Sequence, residues 1–191
     1  MNTKDFNVFD KIIAKWRLSK IVREVSINDD VLDFGCGSQG YFLKIVSDGI
    51  KSGVGIDYDV PVKSEGNLKY LKYKYIDRLP FESGVFDKVV MLAVLEHVML
   101  DGVKNLFCEF ARVLRKNGQI ILTTPTPMSK PLLEFLAKTR IINKAEIEDH
   151  KKYYNKADIE QLAAKTGFEI ISYKLFQFGL NSVVILEKNN K

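Results

Sequence analysis

The sequence is poor in the residues that build most self-evident sites. It has two cysteines, Cys36 and Cys108, and two histidines, His97 and His150, among 191 residues. Two cysteines cannot supply a disulfide framework, and Cys36 lies inside a glycine-rich turn, so the chain reads as a protein of a reduced cytoplasm. Neither a paired Cys motif nor a His-Glu-x-x-His is present, and the sequence assigns no metal ligand. There is no GxxxxGK[ST] to cradle a nucleoside triphosphate. No apolar run approaches the roughly 18 residues that cross a bilayer, and the stretch from Met1 to Phe6 lacks the apolar core of a signal peptide. Repeats and low-complexity linkers are missing too. The net charge of +5 allows an anionic substrate or an acidic membrane surface without demanding either. The lysines are scattered along the chain, which argues against nucleic acid as a partner. Oligomeric state is left open.

What is present is an ordinary globular composition, 46% hydrophobic and 28% charged, in a length that suits one domain over residues 1–191. The chain is organised around residues 31–42. Val31 and Leu32 begin a short apolar run of the kind expected of a buried strand, with Asp33 at its end. Gly35, Gly37 and Gly40 then make a tight turn, and Tyr41 to Val46 reads at helical spacing. A strand, a glycine turn and a helix N-terminus bring bare backbone N–H groups against a ligand. Residues 53–56 form a second strand closed by Asp57, an acid placed to accept hydrogen bonds from both hydroxyls of a ribose. That spacing alone also fits a nicotinamide dinucleotide.

Further strands are expected over 70–76, 86–92, 119–124, 168–175 and 181–186, with the region 58–67 a loop. Helices are expected over 102–114, where Val103, Leu106, Phe107, Phe110, Val113 and Leu114 share a stripe, over 131–139, and over 158–166 with Gly167 as its cap. Strands alternating with helices imply an α/β fold: a Rossmann-like three-layer sandwich whose seven-stranded sheet is mostly parallel, covered on both faces. Gly179 between the last two strands predicts an antiparallel hairpin, so the last strand runs against the others. Phe6, Phe9, Ile12, Ile13, Trp16, Ile21 and Val25 form an amphipathic helical segment within residues 1–28.

The segment Asp33-Phe-Gly-Cys-Gly37 resembles the first motif of class I S-adenosylmethionine (SAM) methyltransferases. Leu79-Pro-Phe81, Phe86-Asp87, Val89-Val90 and Leu95-Glu-His-Val98 follow in the order seen in the small-molecule, methyltransferase-11-like branch of that family. The resemblance spans roughly residues 30 to 125. It implies SAM as cofactor and a small molecule as acceptor, with Asp33, Gly35, Cys36, Gly37 and Gly40 around the amino-acid part. It places Asp57 on the ribose and Tyr58 beside adenine. Ile76 and Asp77, at the end of the third strand, would approach adenine, although Asp77 equally suits a turn. Ala93 would approach the methionine moiety, while Glu96 and His97 fit capping, surface or cofactor roles. The absence of an Asn-Pro-Pro-Tyr motif argues against methylation of an exocyclic base nitrogen. The N-terminal segment would form a lid, and residues 126–155 an acceptor-side insertion. His150 stands there as candidate catalytic base or lid anchor, able to take a proton near neutral pH, with Tyr153 and Tyr154 beside it at the rim. Leu132, Leu133, Phe135, Leu136, Ile141 and Ile142 would line a pocket, meet a partner or, first of these, cover the core. A sugar or lipid-linked cell-surface polysaccharide intermediate is the acceptor suggested by the stretch from Thr124 to Tyr154. The other readings are an NAD-dependent oxidoreductase and a SAM-binding protein without catalysis.

Overall fold

Neighbouring residues of the central strands point into different cores, which is why the apolar runs are continuous. A computed structural model describes residues 16–139 and 149–189. On β1 (Asp30–Phe34) every residue is buried. Leu32 and Phe34 enter one core while Val31 enters the other. The alternation repeats in β5 (Phe86–Leu92) and β6 (Leu114–Pro125): Val89, Met91, Ile120 and Leu122 face one side, and Val90 and Ile121 the other. Side chains of a strand alternate between faces, so a sheet covered on both sides needs apolar residues at both parities.

Helix α2 (Leu100–Val113) covers the first face with Val103, Leu106, Phe107, Phe110 and Val113. Helix α4 (Lys156–Thr166) adds Ile159 and Ala163. Helix α1 (Tyr41–Val46) covers the second face with Phe42, Leu43 and Val46. Fully burying each large apolar side chain contributes about 1.5–3 kcal/mol before the entropy of ordering it. Residues 16–21 are helical, and Ile21 is fully buried in the second core with Leu18, Val22 and Val25 against it. This part of the N-terminal segment therefore packs on the domain; Phe6, Phe9, Ile12 and Ile13 lie outside the described residues.

Among the described residues the sheet has eight strands, not seven: in spatial order β3 (Lys63–Glu65), β4 (Leu68–Lys72), β2 (Ser52–Asp57), β1, β5, β6, β8 (Asn181–Lys188) and β7 (Phe168–Phe176). The additional strand is β3 (Lys63–Glu65), which pairs antiparallel with β4 (Leu68–Lys72) through a turn at Gly66. The expected loop at 58–67 thus contains a short edge strand, too brief and polar to show a period. β4 begins and ends earlier than the expected 70–76, because it aligns with β2 (Ser52–Asp57) from Gly53↔Leu68 to Asp57↔Lys72. The remaining strands, β7 (Phe168–Phe176) and β8 (Asn181–Lys188), form the expected antiparallel hairpin, and β8 inserts between β6 and β7.

The sequence patterns in the middle of the chain are structural latches. Glu109 on α2 accepts the Leu79 N–H at 2.7 Å and pairs with Arg112, which donates to the carbonyls of Leu79 and Phe81 at 3.1 and 2.7 Å. Asp87 accepts the Asp30 N–H at 2.8 Å and pairs with Arg115, holding the starts of β1 and β5 together. Helix α4 starts at Lys156 rather than 158 because Asn155 and Asp158 form a reciprocal capping box.

Candidate active site

Strands β1, β2 and β5 run parallel with their carboxyl ends at one edge of the sheet. After β1 the chain turns through Gly35 in a left-handed conformation (φ 77°). The N–H groups of Gly35 and Cys36 both donate to the Ile56 carbonyl, at 2.9 and 3.2 Å. Gly37 follows at φ 66° and donates its N–H to Asp57 Oδ2 at 3.0 Å. Asp57 Oδ1 accepts the Asp59 N–H at 2.9 Å. One carboxylate thus ties the glycine turn to the end of β2, and its four lone-pair sites leave capacity for further donors.

The three glycines of the turn do different things. A Cβ on Gly35 would lie 2.5 Å from Val94 Cγ2, and one on Gly40 would lie 2.2 Å from Tyr70 Cε1. Gly40 therefore lets α1 close on a ring that is fully buried. A Cβ on Gly37 would meet nothing within 4 Å. The open side of the turn, where a ligand can approach backbone, is at Gly37.

Asp33 is 2% exposed, and burial, with the nearby Asp57 carboxylate, pushes its pKa up to about 8. Burial first, then the Asp33 and Asp57 carboxylates, hold the half-buried Cys36 thiol well above its usual range, which disfavours the thiolate. A cationic ligand group beside Asp33 would relieve both the burial of its charge and its repulsion with Asp57. Tyr58 is half exposed next to Asp57. Ala93, at the end of β5, holds a left-handed φ of 53°, its N–H taken by Thr123 O at 2.9 Å. Such a conformation is costly for a residue with a Cβ and gathers at functional sites. The structure does not place Ile76 and Asp77 at a strand end. β4 stops at Lys72, Tyr73 N–H bonds the Asp57 carbonyl at 2.8 Å, and the chain then leaves the sheet. Ile76 is 79% exposed, and the Asp77 carbonyl is held by Asn105 of α2 at 2.7 Å.

A second group of polar residues stands beyond β5. Leu95–His97 form a 3-10 turn whose Glu96 is 1% exposed. Thr124 Oγ1 donates to Glu96 Oε2 at 3.1 Å, and the Lys151 N–H donates to the Glu96 carbonyl at 2.7 Å. Burial raises the Glu96 pKa, opposed in part by His97 and Arg17. His97 Nδ1 lies 3.2 Å from Asp149 Oδ2. The His97 and His150 rings meet edge to face at 4.9 Å, and His150 meets Tyr153 at 5.2 Å. The Arg17 Nε and His150 Nδ1 atoms are buried without a hydrogen-bond partner among the described residues.

Three sequence expectations are corrected here. Burial, with His97 beside it, pulls the His150 pKa down to about 4, so it is neutral at pH 7 and does not titrate near neutrality. Tyr154 does not sit at the rim: it is 4% exposed in the first core, with Lys152 over its ring. Leu132 and Phe135 of α3 (Lys130–Lys138) are exposed, and neither they nor Leu133 and Leu136 join the two cores; Ile141 and Ile142 lie outside the described residues. Covering the core is therefore not what the described part of this apolar stretch does. The sequence leaves Glu96 among capping, surface and cofactor roles; the fold shows that its side chain is drawn inward.

Comparison with known proteins agrees with this geometry. A family model of a methyltransferase domain matches residues 13–173. An uncharacterised protein of Methanocaldococcus jannaschii is 26% identical over 180 residues, covering 84% of this chain and 68% of that one. Among solved structures, a SAM-dependent methyltransferase from Methanosarcina mazei superposes with a TM-score of 0.66 at 21% identity, covering 90% of this chain and 98% of the other. A putative methyltransferase bound to its activator Trm112, from Haloferax volcanii, gives 0.71 at 16% identity, with 98% and 100% covered. The calicheamicin-biosynthesis methyltransferase CalO1, solved with S-adenosylhomocysteine, gives 0.69 at 15%, with 93% and 54% covered.

The chain belongs to the methyltransferase-domain family. It is a methyltransferase with the fold of the SAM-dependent methyltransferases it superposes on, and the cofactor that this fold suggests is SAM. The residues present suit that cofactor: an open glycine at Gly37, an acid at Asp57 for a diol, and a buried acid at Asp33 for a cationic group. No described helix is long and apolar enough to cross a membrane.

Proposed function

We propose that the protein methylates a small molecule, with Asp33, Gly35, Cys36, Gly37, Gly40, Asp57, Tyr58 and Ala93 forming the cofactor wall and the group around His150 facing the acceptor. The observation that carries this reading is the placement of Asp57. Its carboxylate fixes the Gly37 N–H at 3.0 Å while standing at the carboxyl end of β2, where it can accept from a ribose diol. The Asp33 carboxyl lies beneath the same turn and would attract the amino group of the cofactor's methionine part. SAM supplies a methyl group already activated on sulfonium, so the protein has to align the acceptor and exclude water.

The acceptor side is assigned to the segment after β6. It carries α3 with its exposed Leu132 and Phe135, and residues 149–154 beside Glu96 and His97. Neutral His150 can accept a hydrogen bond there, and the exposed apolar residues suit an acceptor with an apolar part. A sugar or lipid-linked polysaccharide intermediate fits this mixture of apolar and polar surface. Ile76 and Asp77 are given no cofactor role in this reading, since the chain carries them away toward α2.

Calorimetric titration with SAM, S-adenosylhomocysteine and NAD, followed by a mass-shift screen of sugar- and lipid-linked acceptors with SAM, tests the proposal. Binding of the two adenosyl ligands and a 14-Da gain on an acceptor, roughly the mass of one CH₂, is the expected result. Binding of NAD in their place would overturn the cofactor wall, and methylation of a macromolecule alone would overturn the acceptor class.

A further inference from the structure

We propose that Glu96, His97 and His150 form a binding site for a divalent transition-metal ion on the acceptor side of the cleft. Each residue offers one ligand atom, and these atoms all lie within 4.8 Å of one another. Ligand atoms around a zinc-sized ion at about 2.0–2.2 Å stand roughly 3–4.4 Å apart, so small side-chain rotations close the set. Among the described residues it is the one such group of three.

The surroundings are those of a prepared site. His97 Nδ1 is held by Asp149 Oδ2 at 3.2 Å, so in the proposed site Nε2 would be its ligand atom. A carboxylate on the far nitrogen of a histidine fixes its tautomer and orientation, as it does in metal centres. Glu96 is 1% exposed, and Thr124 Oγ1 holds one of its oxygens at 3.1 Å. The Lys151 N–H on the Glu96 carbonyl, at 2.7 Å, pins the loop carrying His150 to the turn carrying the other two ligands. His150 Nδ1 is buried with no hydrogen-bond partner among the described residues, a cost that a metal bond or a ligand donor would remove.

Two imidazoles and one carboxylate select manganese, iron, cobalt, nickel or zinc over magnesium and calcium, which prefer oxygen ligands throughout. Three protein ligands leave coordination positions for an oxygen of the acceptor. Arg17 acts electrostatically on Glu96 and opposes a cation, while the Asp149 charge behind His97 favours one, offset by its ion pair with Lys151 at 2.8 Å. The affinity should therefore be moderate. Val94, two residues before Glu96, packs on Gly35 of the cofactor turn, so the site adjoins the cofactor wall. A bound acceptor hydroxyl would lose its proton to solvent more readily. Its oxygen would then form the bond to the methyl carbon as the carbon–sulfur bond breaks and sulfur keeps the electron pair. This last step rests on the proposed acceptor side; the binding site itself does not.

The test is titration of chelator-treated full-length protein with Co²⁺, read by calorimetry and by visible absorption, without SAM. A cobalt spectrum with stoichiometry near one, weakened at least tenfold by His97→Ala and by about 10–100-fold by Asp149→Asn, is expected. Glu96→Gln is the third variant, but its buried site can disturb folding, so His97→Ala, with a partly exposed side chain, decides. No uptake by the wild type, or equal uptake by His97→Ala, overturns the site. S-adenosylhomocysteine binding is measured on the same samples. Its failure would count against the cofactor wall and leave the cobalt result standing.

Discussion

Gly37 and Gly40 both hold left-handed backbones, at φ 66° and 59°, yet replacing each with alanine should have different consequences. The backbone cost is shared: an alanine held left-handed costs about 1–2 kcal/mol. At Gly37 nothing else is added, because the new methyl meets no atom within 4 Å. At Gly40 the methyl would lie 2.2 Å from Tyr70 Cε1 and 2.9 Å from its hydroxyl. Tyr70 is 0% exposed and cannot swing away, so overpacking adds about 1–3 kcal/mol. Gly40→Ala should lose about 2–5 kcal/mol and Gly37→Ala about 1–2 kcal/mol. At about 2–4 °C per kcal/mol for a chain of this size, thermal and urea denaturation resolve the two. Binding should rank them the other way among folded molecules. Gly37→Ala places its methyl on the open side of the turn and should weaken S-adenosylhomocysteine by tenfold or more, about 1.4 kcal/mol. If Gly37→Ala is the less stable protein, or binds S-adenosylhomocysteine like the wild type, the division between a packing glycine and a ligand-facing glycine is wrong.

Asp57→Ala should weaken S-adenosylhomocysteine at least tenfold by calorimetry, since each charge-assisted hydrogen bond lost is worth about 1.5–3 kcal/mol; an unchanged affinity would leave Asp57 only its hold on the Gly37 N–H. Asp33 carries its proton up to about pH 8 in the fold but loses it near 3.8 when unfolded. Its contribution to stability therefore falls as pH rises from about 4 to 8 and is level above that. Asp33→Asn should remove that decline, seen as a flatter difference in urea midpoints between pH 5 and pH 8.5. Arg112→Ala should cost about 2–3 kcal/mol of stability, because it strips the carbonyls of Leu79 and Phe81 of donors and leaves Glu109 unpaired; denaturation without a shift in midpoint would refute the latch. His150→Gln should lower turnover while leaving S-adenosylhomocysteine affinity within about threefold, under 1 kcal/mol, and equal losses in both would make His150 a structural anchor.

The parts of this protein that were legible in the sequence are those where local pattern and tertiary need coincide. The run from Val31 to Gly40 announces a buried strand and a left-handed turn because parity and glycine chemistry are both local. The stripe on α2 and the hairpin at Gly179 are legible for the same reason. β3 was hidden because three polar residues at a sheet edge carry no period. Ile76 and Asp77 were misplaced because the end of β4 is set by its register with β2, not by its own residues. The titration of His150 was misjudged because it depends on burial, and then on His97, both set by residues far away in the chain. Glu96 stays open among capping, surface and cofactor roles for a related reason: its turn meets residues 149–151 and Thr124, which are distant in the chain.

The insertion of β8 between β6 and β7 has a consequence for synthesis. β6 carries Ile120, Ile121 and Leu122, all fully buried, and its outer edge is covered by β8 alone. Gln119 and Glu187, which pair across that edge at 2.8 Å, are 68 residues apart. A growing chain therefore presents β6 as an apolar, unpaired edge until β8 has left the ribosome, at about 5–20 residues per second. For several seconds the half that carries the glycine turn can be assembled while the neighbouring edge is still open to the wrong strand. The nascent chain, rather than the finished fold, is where this unpaired edge is most exposed to the wrong partner.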